Sequence, residues 1–360
     1  MDRTTFTAFL TIIVALSASL NTAIIIALIR TWNKLSSYDV TLLFLTTVEL
    51  LQAVIGYPIE LTTNLREGGP LCIIAGYSTT TLALTSISIL VALSFMRLLS
   101  VTQPLKAVEW IKTRRYSIYL ILPSCIYGFM WGIFPLIGWS EYAPELGSNK
   151  RCTIDLHSED NATRSYLYSL LLFCYVLPLT TMTINFYKIR KKIIEQSVKL
   201  SQNRERIRTN RIKRERRLAI ATFVMTVVFL VAWTPYAVAI FIIGFQKRVD
   251  EAWFFMDYSS LLAKSSTFFN PLIYVLMHRK CKTAVVDMFQ YIICLIRRRD
   301  SQASVSYNGS AQRVQFLHIA SMSSQKPDTC SPCVHIQRSE YLVAKDAANG
   351  PNYSFTATNI

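Results

Sequence analysis

Seven stretches of mostly apolar residues recur along the chain, at about residues 7 to 29, 38 to 63, 72 to 96, 116 to 138, 166 to 187, 218 to 244 and 253 to 277. A helix needs roughly 20 such residues to cross a bilayer. Inside hydrocarbon every backbone N–H and C=O has to find its partner within the segment, which confines each stretch to a helix. The expected fold class is therefore an all-α membrane protein, a seven-transmembrane helix bundle. Ala15-Leu16-Ser17-Ala18 resembles the cleavage site of a secretory leader, but the apolar run continues to Leu28, longer than a leader's core, so the first stretch is read as an uncleaved span.

The formal net charge of +16 raises the question of a nucleic-acid partner, and its placement answers it. Lys188 to Arg217, between the fifth and sixth stretches, holds thirteen Lys and Arg against three Glu, and Arg30, Lys34, Lys106, Lys112, Arg114, Arg115 and Arg297 to Arg299 flank other ends. With the N-terminus outside, all of these fall on one side, which the positive-inside rule makes cytoplasmic. The charge thus encodes topology and attraction to anionic lipid, not nucleic-acid binding. The expected location is the plasma membrane, multi-pass, with an extracellular N-terminus. Cys72 and Cys152 then face an oxidising compartment, where a bridge persists. Asn161-Ala162-Thr163 is a glycosylation sequon on that same side, whereas those at Asn308 and Asn352 fall in the cytoplasmic tail and are read as chance matches. Residues 1–299 are expected to form one transmembrane domain that ends in a short amphipathic eighth helix, with Cys294 a candidate for palmitoylation. Residues 300–360, rich in Ser, Thr, Gln and Asn, read as a disordered tail. Cys330 and Cys333 have no second pair to complete a metal site, and no phosphate loop, zinc-spaced ligand set or nucleophile elbow supports an enzyme.

Within the seventh stretch, LLAKSSTFFNPLIY places Lys264 at mid-bilayer depth. A charge there costs about 2.5 kcal/mol or more, which makes it a functional-site candidate with a partner to be found. In its neutral form the amine is a nucleophile that condenses with aldehydes to an imine.

Seven spans ending in Asn270-Pro271-x-x-Tyr274 resemble the rhodopsin-type G-protein-coupled receptors, and the likeness is carried by residues in most spans. Asn21 and Glu49 match the polar anchors of spans one and two, the latter usually Asp. Arg97 lies 25 residues after Cys72, and Pro104, Pro178, Phe229 and Trp233-Thr234-Pro235-Tyr236 stand at family positions. Lys264 lies six residues before Asn270, the spacing of the retinal-binding lysine in opsins, and Gly138 to Asp155 resembles the opsin loop that covers the chromophore. Features of peropsin, encephalopsin and invertebrate opsins are mixed, as in a divergent member.

The resemblance implies that Lys264 holds retinal, 11-cis or all-trans being left open, with Trp233, Tyr236 and Phe268 among the pocket residues and Cys72–Cys152 as the disulfide. It also implies a carboxylate counterion for the protonated imine. The position three residues after Cys72, where many vertebrate pigments carry Glu, is Ala75. Two candidates remain, Glu145 in the covering loop and Glu60 in span two. At 1.5 Å per residue Glu60 lies about 16 Å outward of Glu49 and Lys264 about 9 Å outward of Asn270; with Glu49 and Asn270 at similar depth, as the resemblance implies, the gap is about 7 Å, much of which the side chain and ligand can cover. Arg97 and Glu215 match the family's inter-helix lock, with Glu49, Asn270, Pro271 and Tyr274 as further switch residues. Met96-Arg97-Leu98 lacks the usual acid before the arginine, Phe186 and Tyr187 displace the span-five tyrosine, and Cys125 replaces the usual span-four Trp, departures that suggest raised basal signalling or unusual coupling. Expected partners are a heterotrimeric G protein, a receptor kinase, arrestin and membrane lipid. A retinal photoisomerase similar to peropsin and a non-photic chemosensory receptor are the competing readings.

Overall fold

The computed structural model describes residues 3–62, 69–103, 115–144, 152–156, 158, 160–202, 206–246 and 249–277, with isolated positions from 282 to 294. The chain divides into two compact units, Met1–Lys282 and Thr283–Ile360. Among the described residues of the first unit, seven helical spans form the bundle. Span one is Arg3–Arg30, span three Pro70–Thr102, span four Arg115–Ile133 closed by a 3-10 turn at Phe134–Ile137, span six Arg206–Gln246 and span seven Val249–Met277. Six of the described helices are long and apolar enough to cross a membrane. Span seven is diluted by Lys264, Ser265, Ser266, Thr267 and Asn270, and the last four of these are buried in the bundle. In the second unit, the expected eighth helix lies mostly outside the described residues, and the tail entirely so.

Spans two and five share a device. Span two runs Ser37–Leu51, then a π-helical turn Gln52–Gly56, then Tyr57–Thr62. Span five runs Asn161–Ser169, a π-helical turn Leu170–Val176, then Leu177–Gln202. In each case the residue after the wide turn precedes a proline, Pro58 or Pro178, which has no N–H to give and whose ring crowds the preceding turn. The wide turn absorbs the conflict: Tyr57 N–H reaches back to Gln52 C=O and Leu177 N–H to Leu172 C=O, five residues instead of four. One inserted residue also rotates everything outward of it, so the faces of the outer halves follow from the prolines.

Spans five and six run well beyond their apolar windows. Span five continues as helix to Gln202 and span six begins at Arg206, so most of the basic segment expected as a loop is helical. Hydropathy marks only what the bilayer covers, whereas Lys, Arg, Glu and Gln are good helix formers in water. Lys192 and Glu195, 3.2 Å apart, pair on this exposed face. Gln196 donates to the Val101 carbonyl at 3.0 Å, tying the extension to the inner end of span three.

Outside the bilayer, β1 (Tyr142–Pro144) and β2 (Cys152–Ile154) pair antiparallel in the register Tyr142 to Ile154. The hairpin lies on span three, held by the Cys72–Cys152 disulfide. Tyr142 fits because Gly76 offers no side chain; a Cβ there would run into its ring. The Tyr142 hydroxyl donates to the Gly132 carbonyl at 2.8 Å, which joins hairpin to span four. Gly76→Val is therefore expected to lower the stability of the purified chain by about 1–3 kcal/mol, read as a reduced melting temperature in detergent.

Candidate functional site

Beneath the hairpin, spans two, three, five, six and seven enclose a cavity of about 890 Å³ including its open mouth. Its walls are mostly apolar, and the polar groups reaching it include Tyr57, Thr79, Tyr236, Ser260 and Lys264. Cys152, Thr153 and Ile154 of β2 close the outer side. Thr153 and Tyr236 share a hydrogen bond at 3.4 Å, linking this cover to span six. The Trp233 ring lies 5.6 Å from Phe229, nearly parallel, and 6.0 Å from Tyr236, edge to face. Its indole N–H donates to Ser266 Oγ at 3.1 Å, a direct tie between spans six and seven.

Lys264 is half-buried, and its ammonium nitrogen lies 3.3 Å from Ser260 Oγ, one turn outward on the same helix. It also lies 5.5 Å from the centroid of the Tyr57 ring, within the range at which an aromatic face attracts a cation. The Tyr57 hydroxyl donates to the Lys264 carbonyl at 3.4 Å. Tyr57 is almost fully buried and sits just after the wide turn of span two, so the turn that accommodates Pro58 also aims this ring. Ala75 is buried against Cys72 and Cys152, with Ile59 packed alongside, so the vertebrate counterion position is an apolar contact beneath the disulfide.

Below the cavity, buried polar residues join the spans in separate pairs. Asn21 donates to the carbonyls of Ser17 at 2.9 Å and Thr267 at 3.0 Å, joining spans one and seven. Asn270 donates to a Glu49 carboxylate oxygen, joining spans seven and two; the second oxygen is buried with no hydrogen-bond partner among the described residues. Asn185 donates to Ser94 Oγ at 3.0 Å, joining spans five and three. At the inner end Tyr274 donates to Asp39 at 3.2 Å, and the Arg97 guanidinium stacks 3.4 Å above the Tyr38 ring.

The structure therefore brings Lys264, Trp233 and Tyr236 to one cavity and places Glu49, Asn270 and Tyr274 in contacts between spans toward the opposite end. Phe268 packs with Phe269 and against the Phe6, Leu10, Ile13, Tyr57 and Leu261 cluster beside span one, one turn inward of Lys264. Pro271 is buried inside span seven. Asn161 is exposed at the first turn of span five, capped by Asp160, whose carboxylate is held below its usual range by the Ser158 hydroxyl and Thr163. The side chains of Glu60 and Glu215 and the whole of Glu145 lie outside the described residues. Tyr57, Ser260 and Tyr38 carried no spacing signal; only the proline next to Tyr57 marks its neighbourhood.

Residues 20–274 match the family model of the 7 transmembrane receptor (rhodopsin family). The chain belongs to the rhodopsin family. This rhodopsin-family chain is 32% identical to melanopsin-A of Gadus morhua over 238 residues, 64% of this chain and 42% of that protein. It is 25% identical to the Gq-coupled rhodopsin of Mizuhopecten yessoensis over 338 residues, 89% of this chain and 67% of that one. The chain thus spans less than half the length of the melanopsin it matches. In three dimensions it superposes on the crystal structure of squid rhodopsin with a TM-score of 0.71 at 20% identity, covering 80% of this chain and 85% of that one, which establishes the shared fold.

Glu49 and Asn270 are both buried, so losing one partner of this contact strands the other away from water. Glu49→Gln keeps an acceptor for the Asn270 amide and is expected to leave the melting temperature nearly unchanged. Glu49→Leu leaves a buried donor unmatched and is expected to cost about 1–3 kcal/mol in thermal unfolding.

Proposed function

We propose that this rhodopsin-family chain is a light-sensing receptor of the plasma membrane that holds retinal on Lys264 as a Schiff base and signals through a heterotrimeric G protein. The observation that carries the reading is the Lys264 amine, presented in a mostly apolar cavity between the Tyr57 ring and Ser260, with Trp233 and Tyr236 also lining that cavity. These residues fit the group: an amine to bond it, aromatic walls to flank a polyene, and a hairpin cover that keeps water out. When bound, retinal supplies light absorption and a change of shape.

The chain's own residues supply the response. Trp233 is tied to Ser266 and sits two residues before Pro235, where span six lacks one backbone hydrogen bond and bends at low cost. Displacing Trp233 loads that tie and favours a bend, and a state with different contacts in the cavity is one that light can populate. For the counterion, Glu60 and Glu145 are the proposed carboxylates. Both stand as candidates, Glu60 three residues after Tyr57 in span two and Glu145 in the covering loop. The N-terminus is placed outside, Asn161 carries the glycan, and the Ser-rich tail from residue 300 suits a receptor kinase and arrestin. The isomerase reading drew on Met96 in place of the usual acid; the Tyr38 ring gives Arg97 another hold, which supports a signalling bundle.

The test is incubation of the purified chain with 11-cis-retinal and, separately, all-trans-retinal, followed by acid denaturation and absorbance. The parent is expected to carry a retinylidene adduct and Lys264→Ala none; an equal signal in both overturns the reading. Glu60→Gln is expected to move the visible band to the near ultraviolet at neutral pH, with Glu145→Gln as the alternative carrier of that shift. If neither shifts, both assignments fail. Illumination in the presence of a Gq-class heterotrimer, then of the other classes, is expected to raise nucleotide exchange.

A further inference from the structure

The inner end of span three poses a problem that the sequence left open: Arg97 is buried, 5% exposed, next to Met96 where an acid would ordinarily hold it. Met96 is itself buried, with the Thr41 hydroxyl directed at its sulfur at 3.7 Å, so it offers the arginine no charge. The guanidinium instead lies 3.4 Å from the centroid of the Tyr38 ring, itself 3% exposed. A guanidinium is weakly hydrated and planar, and such a face-on contact strengthens when water is excluded. Tyr38 is well placed to keep its position. It follows the Ser36 cap of span two, where Ser36 N–H and Oγ donate to Asp39 at 3.0 and 2.8 Å and Asp39 N–H returns the bond. The other oxygen of Asp39 accepts from Tyr274 of span seven. One helical turn therefore meets both Arg97 and Tyr274.

The same ring touches the moving part. The Tyr38 and Thr222 hydroxyls lie 3.5 Å apart, and Thr222 stands eleven residues before Trp233 on span six. Eleven residues are about three full turns and about 16 Å, so Thr222 and Trp233 share a face, one at the cavity and one at the inner end. A change in span six at Trp233 reaches Tyr38 through this contact.

We propose that Tyr38 is a positioning residue for Arg97 in the resting state, its ring face adding a hold where Met96 offers no charge, and that span six loosens it through Thr222. The assignment rests on the reading of the chain as a two-state signalling receptor, but its test requires neither retinal nor a G protein. Spin labels are placed on Tyr119→Cys in span four and Ile220→Cys in span six, both exposed, and their separation is measured by pulsed dipolar spectroscopy in darkness. At position 38, phenylalanines with none to three ring fluorines are introduced by nonsense suppression; they keep the shape and progressively weaken the ring face. The long-distance population is expected to rise with each fluorine, by roughly tenfold across the series, and Met96→Glu to return it to the parent value. A flat series overturns the assignment, as does a rise that Met96→Glu fails to reverse, since packing alone would then account for Tyr38. If Phe alone opens the bundle as far as trifluorophenylalanine, the hydroxyl and not the ring is the holder, and the assignment falls. A graded series in a chain that takes up no retinal would keep this assignment and sink the photoreceptor reading; a flat series in a chain that opens with light would do the reverse.

Discussion

Hydrocarbon is a solvent that accepts no unmatched polar group, and most features of this bundle follow from that constraint. It forces helices, and it forces a remedy wherever proline interrupts one. The two wide turns before Pro58 and Pro178 are such remedies, and they also set direction, because an inserted residue rotates the rest of its helix. Tyr57, the first residue past one of these turns, is the one that meets Lys264. Polar side chains obey the same rule: Asn21, Glu49, Asn185 and Asn270 all bond across spans, so the interior is stitched by a handful of contacts with few alternatives.

Much of this was legible in the sequence. Apolar length located the spans, and the resemblance carried by Lys264 and Asn270 singled out a lysine that lines a cavity of the bundle. These signals are legible because each reflects a large penalty, such as burying a charge or leaving backbone unmatched. What escaped was set by smaller energies and by rotation. Phe268, expected among the pocket residues, lies one turn inward of Lys264 and packs beside span one against a cluster that includes Tyr57. The helical extensions of spans five and six escaped because hydropathy is silent outside the bilayer. Tyr38 escaped because nothing in its spacing distinguishes it from a packing residue; only the geometry puts it under Arg97.

The contacts also divide the molecule by depth. Near the outside, the hairpin, the disulfide and the Tyr142 and Tyr166 hydroxyls bonded to span-four carbonyls make a rigid cap. Near the inside, single contacts such as Tyr274 with Asp39 and Arg97 with Tyr38 join one span to another. Apolar packing of Val101, Ile189, Ile193 and Ala219 backs these contacts across spans three, five and six.

Span six is also a lever. From Arg206 to Thr234, just before Pro235, it is continuous helix of about 43 Å. Were it to pivot at the proline, a rotation of only about 5° would swing the far tip by about 4 Å, so under the proposed signalling reading a shift of fractions of an ångström at the cavity would be magnified at the water boundary. The basic residues carried on that arm would travel with it, and the membrane surface would meet a redistributed field of positive charge.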